Sequence, residues 1–272
     1  MATIKERMRL AEEDGYLDEN AEARVCQDIV LKALSVSSLS RNATIKGGVV
    51  MRSITGDSRR ATLDMDIDFI KYSLDDSSIE RFIEKLNSLP DLKIEQVGIP
   101  TELKQQDYHG KRVYIRITDE TGDSIESKLD IGVHKHVTIE QEEYCFDIAQ
   151  DDEGASLLIN TMEQMFAEKL RALLKFANNS TRYKDIFDMC YLSNHLDKVK
   201  LKECFDEFIF KDPEMREENI YDIIRRVNQA FSNEQYLTRL SRSRQNWLKM
   251  EASEVTKIII NFLLEIHSEV LT

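Results

Sequence analysis

Three aspartates, Asp64, Asp66 and Asp68, recur at every second position of segment 60–69. Asp is disfavoured in strands and like charges on one face repel. Carboxylates in this pattern would stand roughly 6–7 Å apart along a strand. The natural offset to their repulsion is a divalent cation with oxygen ligands. Two such ions clamp the attacking and leaving oxygens in phosphoryl transfer, which calls for carboxylates converging from neighbouring strands. Asp130, in Lys128-Leu129-Asp130-Ile131, supplies another from the polar face of a second strand. The competing account of the same residues is a solvated edge strand with surface aspartates. Gly47-Gly48 lies upstream, and backbone amides at a glycine turn opening a helix can hold a triphosphate. Such turns are common and usually structural, so the weight rests on the order: glycine turn, helix, Asp-x-Asp strand.

A second position stands out on a helix. Met162, Met165, Phe166, Leu170 and Leu173 form an apolar stripe, and Lys169 falls inside its arc. A lysine there must snorkel or meet an anion. Asp185 and Asp188, one turn apart on the next helix, are the partners within reach of the sequence pattern. They make either an interhelical salt bridge or a support for a lysine that reaches nucleotide phosphate. Because a long apolar side chain suits such a stripe, Lys169→Met is expected to keep or raise stability.

The elements that must position these groups follow from periodicity. The first forty residues read as helices. Segment 60–69 alternates, with Arg60, Thr62 and the three aspartates on one parity and Ala61, Leu63, Met65, Ile67 and Phe69 on the buried one. A helix opens at a capping pattern, Ser77-x-x-Glu80, and ends before Pro90. Strands follow at 92–97, 112–118 and 125–133. After about Gly154 the pattern is helical only, with a helix capped at Thr161-x-x-Gln164, another over 183–192, and a last amphipathic one carrying Val255, Ile258, Ile259, Phe262, Leu263, Ile266 and Val270. The fold class is therefore α+β: a mixed-sheet domain over 1–155 with N-terminal helices, then an all-helical domain over 156–272.

The net charge of −13 speaks against a protein that coats nucleic acid non-specifically, since that function presents a basic face. It leaves room for a local basic patch, a basic partner or an acidic metal pocket. Arg239, Arg242, Arg244 and Lys249 around Trp247 make one such local cluster, read either as a contact for an RNA acceptor or as a solvated helix face. No signal peptide or membrane-length apolar run is legible. Cys26, Cys145, Cys190 and Cys204 are scattered without metal spacing and are expected to be reduced, mostly core residues of a cytoplasmic protein. His134-x-His136 is read as an exposed strand end in preference to a metal site.

Taken in order, Lys46-Gly47-Gly48, Arg60-x-Thr62-x-Asp64-x-Asp66, Asp130, Glu168-Lys169-Leu170-x-Ala172 and Tyr183-Lys184-Asp185-Ile186-x-Asp188 resemble the AbiEii/AbiGii toxin family. These are polymerase-beta-like nucleotidyltransferases, the toxin halves of bacterial toxin–antitoxin or phage-defence pairs. The match runs over about 45–192. The resemblance implies metal ligands at Asp64 and Asp66, an active-site lysine at Lys169 and an acidic residue at Asp185, with the helical half completing the site. Asp130 joins them as the third metal carboxylate, and Asp68 stands behind the motif. Gly47, Gly48, Arg60, Thr62 and Lys169 would bind the nucleotide. The implied cofactor is Mg2+ or Mn2+, with an NTP as substrate. Pyrophosphate would leave, and the acceptor stays open between a tRNA 3′ end, another RNA and a protein hydroxyl. A cognate antitoxin is the implied partner, and no membrane is involved. The rival from another class is a catalytically silent transferase fold that binds nucleotide or a protein partner.

Overall fold

The structure is a computed structural model in which residues 2–103, 110–135 and 138–270 are described. The chain divides into two compact units, Met1–Asn160 and Thr161–Thr272.

The first unit opens with α1 (Ile4–Glu13) and α2 (Glu19–Val36), the former closed at its start by a Thr3–Glu6 capping box. Next come β1 (Ala43–Lys46), α3 (Gly47–Thr55), β2 (Met65–Phe69), α4 (Asp76–Leu86), β3 (Leu92–Glu102), β4 (Lys111–Asp119) and β5 (Ser124–Val133). A hairpin, β6 (Glu142–Ile148) and β7 (Asp151–Ile159), ends the unit. Among the described residues the seven strands form one mixed sheet in the order β3-β4-β5-β2-β1-β7-β6. The central β2 runs antiparallel to β1 and parallel to β5. Met65, Ile67 and Phe69 of β2, with Val113 and Ile115 of β4 and Leu129 and Ile131 of β5, are buried. The helices α2 and α4 pack on this core. The alternation of side chains along each strand turns the other parity away from it, and that face carries the aspartates.

Three local expectations need correction. The strand is shorter than its alternation suggested: β2 starts at Met65, residues 58–60 form a 3-10 turn, and Leu63 is exposed rather than buried. Asp57 drives this, its side chain accepting from the Arg59 amide and capping the turn. The helix expected to start at Ser77 is capped two residues earlier, by Asp75 accepting from the Ser78 amide at 2.7 Å. Strand structure also continues past Gly154, because β7 adds parallel to β1 and runs to Ile159. Its polar, half-exposed residues 151–154 hid it from periodicity.

The second unit contains α5 (Met162–Phe176), α6 (Tyr183–Leu192), α7 (Lys198–Phe205), α8 (Ile220–Phe231), α9 (Glu234–Ser241) and α10 (Ala252–Val270). Thr161 caps α5 by accepting from the Gln164 amide at 3.1 Å, as its spacing predicts. Val255, Ile259, Phe262, Leu263 and Ile266 of α10 are buried. Cys26, Cys190 and Cys204 are buried and Cys145 is exposed, all as free thiols.

Candidate active site

The strand-to-helix turn between β1 and α3 has no room for side chains. Gly47 adopts φ +64°, and a Cβ built on it would stand 2.6 Å from Oδ2 of Asp66. A Cβ at Gly48 would stand 2.4 Å from Oγ1 of Thr62. The two glycines therefore bring the start of α3, with its unsatisfied amides, against the polar face of β2.

Strand register then builds a row of charges across four strands. Arg112 of β4 faces Asp130 of β5, Asp130 faces Asp66 of β2, and Asp66 faces Lys46 of β1. Arg112 donates from Nε and Nη2 to the two oxygens of Asp130, each at 2.7 Å. Lys46 Nζ lies 2.9 Å from both oxygens of Asp68. Lys128 Nζ lies 2.6 Å from Oδ1 of Asp64, which precedes β2 instead of sitting on it. Asp66 keeps a partly open face, yet its carboxyl is packed round by protein. Burial pushes its pKa up to about 6; Asp130, Asp64 and Asp68 add to the rise, and Lys46 opposes it.

Among the described residues no group of three or more His, Cys, Asp or Glu is placed to hold a metal ion as the side chains stand. The reason is visible in the contacts: Asp64, Asp68 and Asp130 are each turned to a cation. The donor set nonetheless suits a hard divalent ion, since it offers only carboxylate oxygens, on register-matched positions of adjacent strands, with Asp66 crowded by like charge. Arg112 and Lys128 were not singled out in the sequence. Lys128 shares the parity of Asp130, which was a usable signal; the pairing of Arg112 with Asp130 depends on β4–β5 register and had none.

The other nucleotide-binding assignments fall differently. Thr62 is half-buried beside Gly48; its hydroxyl donates to the Asp64 carbonyl at 3.4 Å and its own carbonyl accepts from Gln27 at 2.8 Å. Arg60 ends the 3-10 turn and is buried. His134 is buried too, and its amide donates to the Phe69 carbonyl at 2.9 Å. That corrects the exposed-end reading: the backbone bond holds it against β2. His136 lies outside the described residues.

In the second unit Lys169 is buried, its Nζ 2.9 Å from Oδ1 of Asp185 and 2.9 Å from Oδ2 of Asp188. Arg182 reaches Asp185 at 2.6 Å, and the Trp247 indole donates to fully buried Asp188 at 3.0 Å. The expectation that Lys169→Met spares stability does not survive this geometry, since methionine would leave two carboxylates short of their shared cation.

A glycine turn pressed on a carboxylate row sets helix-start amides beside oxygen ligands, groups suited to phosphate and to a hard cation. A family model described as nucleotidyl transferase AbiEii toxin, type IV toxin–antitoxin system, matches residues 29–255. The chain belongs to that family and is a nucleotidyltransferase. No curated relative matches it. An antitoxin and an NTP substrate come with the family. Among the described residues no helix is long and apolar enough to cross a membrane.

Proposed function

We propose that this chain moves a nucleoside monophosphate from an NTP to a hydroxyl of an RNA acceptor, a tRNA 3′ end included, and that this modification is how it acts as a toxin in the cytoplasm. The observation that carries the reading is the contact of Gly47 and Gly48 with Asp66 and Thr62. It sets helix-start amides beside carboxylates, where a triphosphate and its cation would both be served. Asp64, Asp66 and Asp130 would hold Mg2+ or Mn2+, which supplies Lewis-acid neutralisation of phosphate charge. Arg112 and Lys128 then have to share or yield their carboxylates. The residues of the chain do the rest. The α3 amides and Thr62 orient the nucleotide. Asp130 accepts the proton of the acceptor hydroxyl.

The test is product analysis with each labelled NTP in turn, incubated with total RNA or with protein in the presence of Mg2+ or Mn2+. Label in RNA supports the reading. Label in protein moves the acceptor, and nucleotide binding without any transfer under all conditions favours the silent-module alternative.

A further inference from the structure

The second unit holds a cleft of about 190 Å3 lined by Ala177, Asn178, Arg226, Gln229, Ala230 and Asn233. It has no carboxylate in its wall. Arg226, half-buried on α8, makes no hydrogen bond or ion pair among the described residues, and its Nε is shut from solvent without a partner. A half-buried guanidinium without a counter-charge is costly unless an anion supplies one. Asn178 and Gln229 side chains are also without partners among the described residues. Asn233 uses its Oδ1 to cap α9, accepting from the Tyr236 amide at 2.9 Å, which leaves its amide protons for another acceptor. Every group facing the cleft with spare capacity can thus donate.

The wall is fixed rather than pliant. Ala177 is held at φ +45°, a left-handed backbone that an alanine seldom adopts. The Arg239 guanidinium donates to the Asn178 carbonyl at 2.6 Å, pinning the strained turn to α9.

Size selects the ligand. At ~30 Å3 per water the cleft has room for about six, well below the 300 Å3 or more of a pocket that swallows a drug-sized molecule. One tetrahedral anion fits with its hydration; a whole nucleotide does not. The surroundings favour a polymer as the source of that anion. Between Tyr221 and Met250 there are six Lys or Arg and two Asp or Glu in a chain of net charge −13. Of the six, Arg225 pairs with Asp222, whereas Arg239, Arg242, Arg244 and Lys249 are exposed and pair with no carboxylate among the described residues.

We propose that the Arg226 cleft is a phosphate-reading pocket for one backbone phosphate of single-stranded RNA, with Arg239, Arg242, Arg244 and Lys249 taking phosphates along the same strand. The two Nη groups of Arg226, which are not shut from solvent as Nε is, would make the paired, end-on contact that guanidinium offers to phosphate. The inference deepens the RNA-acceptor reading and rests on it.

The experiment is fluorescence anisotropy of the full chain with a labelled RNA of about 12 nucleotides, a common single-strand footprint, repeated over a salt series and with inorganic phosphate as a separate probe. Arg226→Gln is expected to weaken RNA binding about tenfold and to lower the salt slope by about 0.7, the single-strand value for one phosphate contact. Arg226→Lys should recover part of the affinity. Gln229→Glu, at an exposed rim position that tolerates change, should weaken binding as well. Far-UV circular dichroism checks that the variants are folded. RNA bound equally by wild type, Arg226→Gln and Gln229→Glu overturns the pocket while the acceptor reading stands. No RNA binding by the wild type overturns both, and phosphate bound through Arg226 in that case makes the pocket a free-anion site instead.

Discussion

Replacing Lys169 by methionine separates what the lysine does for the fold from what it does for the reaction. Its ammonium stands 2.9 Å from Asp185 and from Asp188, with side-chain exposures of 9%, 12% and 0% for the three residues. Removing one member of a buried pair typically costs ~3–5 kcal/mol because a charge is left uncompensated. The lower end applies, since Arg182 stays on Asp185 and Trp247 on Asp188. At about 2–4 °C per kcal/mol for a protein of this size range, Tm should fall by about 6–12 °C in calorimetry at neutral pH. Lys169→Met/Asp188→Asn should recover part of that loss, because an amide oxygen still accepts from Trp247 and one buried charge is gone. Activity measured well below Tm, per folded molecule, should fall ~100-fold or more if the lysine also neutralises phosphate charge. A variant that melts within about 2 °C of wild type would refute the buried-cation argument. Full activity per folded molecule would confine Lys169 to a structural role.

Further outcomes follow from the first unit. Gly48→Ala should lose most NTP affinity and activity, because its Cβ would meet Thr62 at 2.4 Å; unchanged nucleotide binding in a thermal-shift titration would contradict the cradle. Asp66 binds its proton more tightly in the folded chain, with a pKa of about 6 against 3.8, so its contribution to stability falls as pH rises from about 4 to 6. In chelator, Asp66→Asn should therefore be more stable than wild type at pH 7, by about 3 kcal/mol, with the gap closing by pH 4. Equal gaps at both pH values would dismiss this. Asp64→Ala and Asp66→Ala should abolish labelled-NTP transfer while remaining folded by circular dichroism; full activity in Mg2+ would sink the metal assignment. Expression of the active chain alone should slow bacterial growth, with co-expression of its antitoxin restoring it; normal growth would remove the toxin role and leave the chemistry.

The α+β class, the glycine turn, the aspartate parity and the cap at Thr161 were legible in the sequence because these are local: period-2 and period-3.6 patterns and side-chain-to-backbone bonds reach only a few residues. The lysine between Asp185 and Asp188 was legible for the same reason, as a charge inside an apolar arc demands partners one helix away. Tertiary structure decided the rest. Residues 61–64 alternate like a strand, but a β-strand exists only where a neighbour offers its backbone, and β5 pairs no earlier than Met65. Polar β7 became a strand because β1 had a free parallel edge for it. The facing of Arg112 with Asp130, and of Asp130 with Asp66, depends on register between strands far apart in the chain. One-residue slips in that register would have turned every one of these side chains to the opposite face.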